Sequence, residues 1–174
     1  MRRIFFLLLT VCIAQLCAGQ RTTSLTMQVR YGRTAYDITR SNNPSSLGMA
    51  LQLGFLKGAK LQPHLELGAD LFPGGNKVLY LLSDGTAIPS VSGLTHLYAG
   101  LAWHPSKTYF ASLSAGTSVL DGRFLFGVRP VLSGYLTAKQ TVSMNLFWLH
   151  VFNRDRQTGY NLGTAGIGIG IKLF

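Results

Sequence analysis

From Ser24 onward, apolar and polar residues take turns along the chain. Over 24–31, Leu25, Met27, Val29 and Tyr31 share one face, and Ser24, Thr26, Gln28 and Arg30 the other. Over 47–57 the apolar face is Leu47, Met49, Leu51, Leu53 and Phe55, against Gly48, Ala50, Gln52 and Gly54. Over 60–72, Leu61, Leu65, Leu67, Ala69 and Leu71 oppose Lys60, Gln62, His64, Glu66, Gly68 and Asp70. Successive side chains of a strand point to opposite faces, so a period of two predicts strands with two chemically different sides. The segments 93–103, 107–117, 123–136, 141–152 and 160–174 repeat the pattern. The result is eight strands of about 9–14 residues, longer than the usual 5–6 of soluble sheets and matched to a tilted bilayer crossing.

The connections alternate as well. Short ones fall at Gly58-Ala59, His104-Pro105-Ser106 and Thr137–Gln140; longer ones fall at 32–46 and 73–92, with modest ones at 118–122 and 153–159. Short turns on one side and longer loops on the other are the habit of outer-membrane barrels, and an even strand number returns both termini to the short-turn side. The less apolar face is mostly Gly, Ala, Ser, Thr and Gln, which fit a narrow lumen, while Leu, Ile, Val and Phe fit lipid. The predicted class is therefore all-β, an eight-stranded antiparallel up-and-down transmembrane β-barrel. Phe55, Trp103 and Tyr109 fall near the short-turn edge, and Tyr31, Phe72, Phe124 and Tyr160 near the long-loop edge, as two interfacial girdles would. Pro63 and Pro130 lie inside strands, where a missing N–H donor predicts bulges.

The first twenty residues read differently. Met1-Arg2-Arg3 is basic, Ile4–Leu16 is largely apolar, and Cys17-Ala18-Gly19 supplies small residues before Gln20. This is the layout of a secretory signal peptide over 1–19, leaving a barrel domain over 20–174. Both cysteines, Cys12 and Cys17, leave with the signal, so no disulfide is expected. The apolar run is too short for a membrane helix, and Val11 and Leu16 stand where lipidation would want a small residue before the Cys. Composition agrees with a β-rich chain that does not face water alone. Charged residues make up 13%, about half the ~25% of ordinary soluble domains, and glycine reaches 20 residues.

The signal segment, the eight alternating segments and the ending Ala165-Gly-Ile-Gly-Ile-Gly-Ile-Lys-Leu-Phe174 resemble the small eight-stranded outer-membrane barrels of the OmpA transmembrane-domain and OmpX type. The resemblance covers the whole mature chain as a pattern. It implies the outer membrane of a Gram-negative-type bacterium, and a C-terminal strand read by the barrel-assembly machinery. One departure is the phase of the last strand: Ile167, Ile169, Ile171 and Leu173 form the apolar face and leave Phe174 on the other.

Candidate chemistry is sparse. His64, Glu66, Asp70 and Lys60 share the inner face of the third strand, His96 lies on that of its neighbour, and Arg30, Arg123 and Arg129 join them from other strands. Charges in a narrow barrel must pair, so this set reads as a lumen polar network rather than a catalytic or metal site. The lipid A deacylases carry His-x-Ser-Asn on a late strand, and the corresponding stretch here is His150-Val151-Phe152-Asn153. Phe152 stands where the nucleophile belongs, so no enzyme is expected; no HExxH, CxxC or Asp-rich loop supports a metal, and no cofactor is expected. The repeated glycines over 163–170 lack the strand–turn–helix of a phosphate loop.

Net charge is +10, but the basic residues are scattered, which speaks against nucleic acid. Arg33, Arg40, Lys77, Arg154 and Arg156 in the long loops would instead face lipopolysaccharide. Within 73–92, Asp84-Gly85 between apolar runs predicts a hairpin, and Leu79, Tyr80 and Leu81 offer an apolar contact surface for a protein partner. The functional expectation is a non-enzymatic surface barrel with a structural or interaction role. A lipid A hydrolase, a narrow pore and a secreted lipocalin-like barrel are the alternatives.

Overall fold

The computed structural model describes residues 22–74, 80–155 and 159–174, with Tyr80 described by its backbone. The expected signal peptide, Lys77, Leu79 and Arg156 lie outside the described residues. Ten strands follow in chain order: β1 (Ser24–Tyr36), β2 (Ser45–Gly54), β3 (Leu61–Leu71), β4 (Tyr80–Leu81), β5 (Ala87–Ile88), β6 (Gly93–Trp103), β7 (Tyr109–Leu120), β8 (Arg123–Tyr135), β9 (Val142–Val151) and β10 (Leu162–Lys172). All but β4 and β5 close into one antiparallel barrel, each strand paired with its chain neighbours and β1 paired with β10. The eight long strands are the eight alternating segments. The short pair β4–β5 is the hairpin expected at Asp84-Gly85, with Gly85 at a φ of 81°.

The alternation fixes the register because one slip would turn every charged lumen residue into lipid. Val29, Leu47, Leu67, Leu97, Leu113, Leu132 and Ile169 are exposed on the outer surface, while Gln28, Arg30, Glu66, His96 and Arg129 are buried inside. In water this outward belt would carry a penalty of about 25 cal/mol for each Å² of apolar surface, a penalty that lipid removes.

Several local expectations change. β1 runs on to Tyr36, so Arg33 belongs to a strand rather than a loop. Its one irregularity is a register shift between Thr34 and Tyr36, an extra residue at Ala35. The prolines give no shift. Pro63 still accepts a hydrogen bond from Phe55 N at 2.8 Å, and pairing across Pro130 to β9 resumes in unchanged register at Val131↔Phe147. A proline loses its N–H but keeps its carbonyl, so one rung is lost and the ladder continues. The connection at 118–122 contracts to Asp121-Gly122, with φ of 50° and 74°, the backbone of a tight primed hairpin turn. The long-loop end therefore contains one of the tightest turns, beside the loops 37–44, 72–92 and 152–161.

The lumen is filled differently along its length. At the long-loop end Phe72, Val91, Leu94, Leu120, Leu125, Leu149, Val151 and Leu162 form an apolar core. Phe72 thus turns inward and does not join the outer girdle, because it continues the inward phase of His64, Glu66 and Asp70. Below this core lies a charged layer. Below that, a cavity of about 680 Å³ opens at the short-turn end. Gln52, Gln62 and Asn145, all of inward phase, line this cavity without filling it.

Candidate functional site

Glu66 is the centre of the charged layer and is fully buried. Arg30 Nη1 donates to Glu66 Oε1 at 3.3 Å, and Arg129 Nη2 donates to Oε2 from the opposite wall. Arg30 also grips Asp70 side-on, Nε to Oδ1 and Nη2 to Oδ2, both at 2.9 Å. His96 Nε2 lies 2.9 Å from Glu66 Oε1 and 3.3 Å from Arg30 Nη2. Two guanidiniums thus meet two carboxylates, with the His96 imidazole between them. The Arg30 guanidinium also lies 5.8 Å from the centre of the Phe147 ring.

Glycine makes this layer possible. His96 pairs with Gly68 across β3 and β6, and a Cβ on Gly68 would stand 2.6 Å from the imidazole. On β2, a Cβ on Gly48 would run into the Asp70 carboxylate and stand 2.8 Å from Arg30 Nε. Tyr98, which the alternation also places inward, is fully buried and crosses Gly116 and Gly127 to reach Ser118 Oγ at 2.5 Å. Its partner row, Tyr98↔Gly116↔Gly127, is the signal that could have singled it out.

Of the expected lumen set, Arg30, Glu66, Asp70, His96 and Arg129 converge. His64 is buried one rung lower, lying across Gly100 in the cavity wall with no partner for Nδ1. Lys60 and Arg123 do not join. Both are on the inward phase, but each sits at or beyond the end of its strand, where the lumen gives way to solvent, and both are exposed.

A second charged cluster lies among the outer loops. Arg154 is only 4% exposed. Its Nε is 3.1 Å from Asp37 Oδ1 in loop 37–44, and its Nη2 is 3.8 Å from Asp121 Oδ2 in the β7–β8 turn. Nη2 also donates to Pro89 O in loop 72–92 at 2.5 Å. One guanidinium from loop 152–161 therefore ties the other three connections together, and its burial removes it from the lipopolysaccharide-facing set. Burial pushes the Asp121 carboxyl above the ordinary carboxylate range, against the pull of Arg154 and with repulsion from Asp37. Arg33 and Arg40 are exposed, as is Leu81 at 67%. Ile88 and Val91 from the same connection are buried, so the hairpin folds over the barrel mouth and leaves Leu81 outside.

On the outer surface Tyr36 covers Gly163 and its hydroxyl meets His150 Nδ1, with Trp148 5.8 Å from Tyr36 and Phe152 edge-on to His150 at 4.1 Å between ring centres. His150 is thus part of an aromatic row at the long-loop rim. Among the described residues, no three His, Cys, Asp or Glu side chains gather as a metal ion would require.

No protein-family model matches the sequence, and no curated protein does. Solved structures do match. The Yersinia pestis outer membrane protein Ail, in a phospholipid bilayer nanodisc, aligns at a TM-score of 0.55 and 8% identity, over 86% of this chain and 99% of that one. A barrel from the de novo design of transmembrane β-barrels aligns at 0.51 and 11% identity, over 86% and 95%. The fold is that of the small eight-stranded outer-membrane β-barrels. Identity this low carries architecture alone, and the match to a designed barrel makes the same point. Within that architecture, the outward belt is the lipid face, the charged layer crosses the lumen at mid-height, and the Arg154 clasp closes the long-loop end.

Proposed function

We propose that this protein lies in the outer membrane of a Gram-negative-type bacterium as a non-enzymatic barrel, structural or interactive at the cell surface, with lipopolysaccharide against its outer rim. The observation that carries this reading is the outer face at the long-loop end. There the apolar belt gives way to Tyr31, Phe124, Trp148 and Tyr160, and at the same end of the barrel Arg33, Arg40 and, at the mouth, Arg123 are exposed. Aromatic rings suit the interface, and guanidinium forks suit phosphate. Arg123 enters this set in place of Arg154. Leu81 is the described residue that keeps the apolar surface for a protein partner in loop 72–92. The exposed Leu173 and Phe174, past the end of β10, support reading by the barrel-assembly machinery.

The non-enzymatic part is supported by the rim itself. Phe152 stands edge-on beside His150, and a phenyl ring has no atom to attack an ester. The test is reconstitution of the mature barrel into vesicles with and without lipopolysaccharide. Lipopolysaccharide should raise the unfolding midpoint, and the combined Arg33→Gln, Arg40→Gln and Arg123→Gln variant should lose most of that gain. Equal midpoints with and without lipopolysaccharide would overturn the rim contact, and fatty acid released from lipid A would overturn the non-enzymatic assignment.

A further inference from the structure

The cavity at the short-turn end is blind. Its floor is Arg129 beneath the charged layer, and the apolar core closes the barrel beyond. Its walls carry Gln28, Gln52, Gln62, His64, Ser133 and Asn145, and its mouth carries Lys57, Lys60, Lys107 and Lys172. No carboxylate lines it. The chain's six acids are Asp37, Glu66, Asp70, Asp84, Asp121 and Asp155, and all lie in the charged layer or in the outer connections. Among the described side chains, the wall and mouth of this cavity therefore carry basic groups and no acid, and a concave, low-dielectric wall focuses their positive potential inward.

A second, independent feature marks the same wall. His64 Nδ1, Arg129 Nε, Ser133 Oγ and Asn145 Oδ1 are buried without a hydrogen-bond partner. Their residues are only 3%, 2%, 6% and 4% exposed, and all four line this cavity. Buried polar atoms are ordinarily paired, and four unpaired ones around one cavity are groups awaiting a partner. Water alone would satisfy such atoms, but it gives no reason for a mouth of four lysines with no acid among the lining residues.

We infer that this cup binds a hydroxyl-bearing organic anion, a sugar acid or sugar phosphate, either free in the periplasm or at the end of a glycan chain. The amides of Gln28, Gln52, Gln62 and Asn145 both donate and accept, which matches hydroxyls, while the anionic group meets the lysines of the mouth or Arg129 at the floor. The inference rests on the outer-membrane placement proposed above, and not on the cell-surface role.

The test uses the full mature barrel in nanodiscs, titrated calorimetrically with glucuronate, glucose 6-phosphate and neutral glucose. Either anion should bind saturably and glucose should not. Because Arg129 also holds Glu66, the diagnostic variants are Lys60→Glu with Lys107→Glu at the exposed mouth, and Asn145→Leu in the wall. Each should weaken the anion by about tenfold or more, the loss of one charged or buried hydrogen bond, without altering heat-modifiable gel migration. Co-sedimentation with purified peptidoglycan sacculi separates the two sources: binding there points to a polymer end, and binding of the small anions alone points to a free ligand. No binding of any probe in either arm, or equal binding of glucose and the anions, would overturn the inference.

Discussion

The two halves of the lumen share one circumference and eight strands, yet one is shut and the other open. At the long-loop end Leu94, Leu120, Leu125, Leu149, Val151 and Leu162 point inward from five strands, and Phe72 and Val91 are added from the connection 72–92. At the short-turn end the inward residues include Gln28, Gln52, Gln62, Ser133 and Asn145, and the short turns rim the opening. The lesson is that an eight-stranded barrel is not closed by its strands alone. Inward side chains nearly fill the bore, and a folded-back loop supplies the remaining volume where one is long enough. The short turns at 55–60, 104–108 and 136–141 cannot do so.

The charged layer separates the halves, so breaking it should have the largest effect. Glu66→Ala leaves Arg129 and one donor of Arg30 buried without their carboxylate. Stranding a buried cation in this way costs about 3–5 kcal/mol. The expected outcome is a large fall in unfolding midpoint in urea with lipid vesicles present, or failure to refold. Glu66→Gln, which keeps shape and one acceptor, should fall by less. An unchanged midpoint for Glu66→Ala would show that the layer does not hold the halves together.

Next in size is the clasp over the closed half. Arg154→Ala removes the cation from Asp37, whose side chain is almost wholly buried, and frees Pro89 O. Losing this charge-assisted hydrogen bond and the ion-pair contact beside it should cost about 1.5–3 kcal/mol. It should also expose loops 37–44 and 72–92 to limited proteolysis while the barrel stays heat-modifiable. Deleting 77–90 tests the same closure by another route. It takes away Ile88 and Pro89 and unseats Val91, so bilayer recordings should change from no steady conductance in the intact protein to brief openings. Steady, large conductance from the intact protein would break the comparison outright.

Which face each strand residue takes was legible in the sequence, because lipid and lumen demand opposite chemistry at every step of two. Height along the barrel was not. Lys60, Glu66, Arg123 and Arg129 all have inward phase, and only the two at mid-strand find a lumen to enter. Phase alone would have placed Phe72 correctly, since it follows His64, Glu66 and Asp70 by even steps; its aromatic character near a strand end pointed the other way. Arg154 reads as an ordinary loop cation, because its burial depends on Asp37, Pro89 and Asp121 from three distant connections. The open cup was equally hidden. Gln52, Gln62 and Asn145 have the right phase for a plug, but phase carries no information on how much volume they leave.

The smallest expected effect sharpens the closed end. Asp121 sits in the β7–β8 turn, where burial raises its carboxyl above the ordinary range, Arg154 opposes that shift, and Asp37 reinforces it. A carboxyl raised on folding binds its proton more tightly in the folded state than in the unfolded one. Its contribution to stability is therefore complete below the unfolded value and is lost as pH rises through the folded one. The group is partly exposed, so solvent screening keeps the change small. Asp121→Asn is a clean probe, because asparagine tolerates the positive φ of 50° and suits the first position of this turn before Gly122. Unfolding midpoints measured from pH 4 upward should show the wild type losing a small increment, relative to Asp121→Asn, just above the usual carboxylate range. A difference of opposite sign would mean that the Arg154 attraction outweighs burial, and that Asp121 is held as a full ion-pair partner in the clasp.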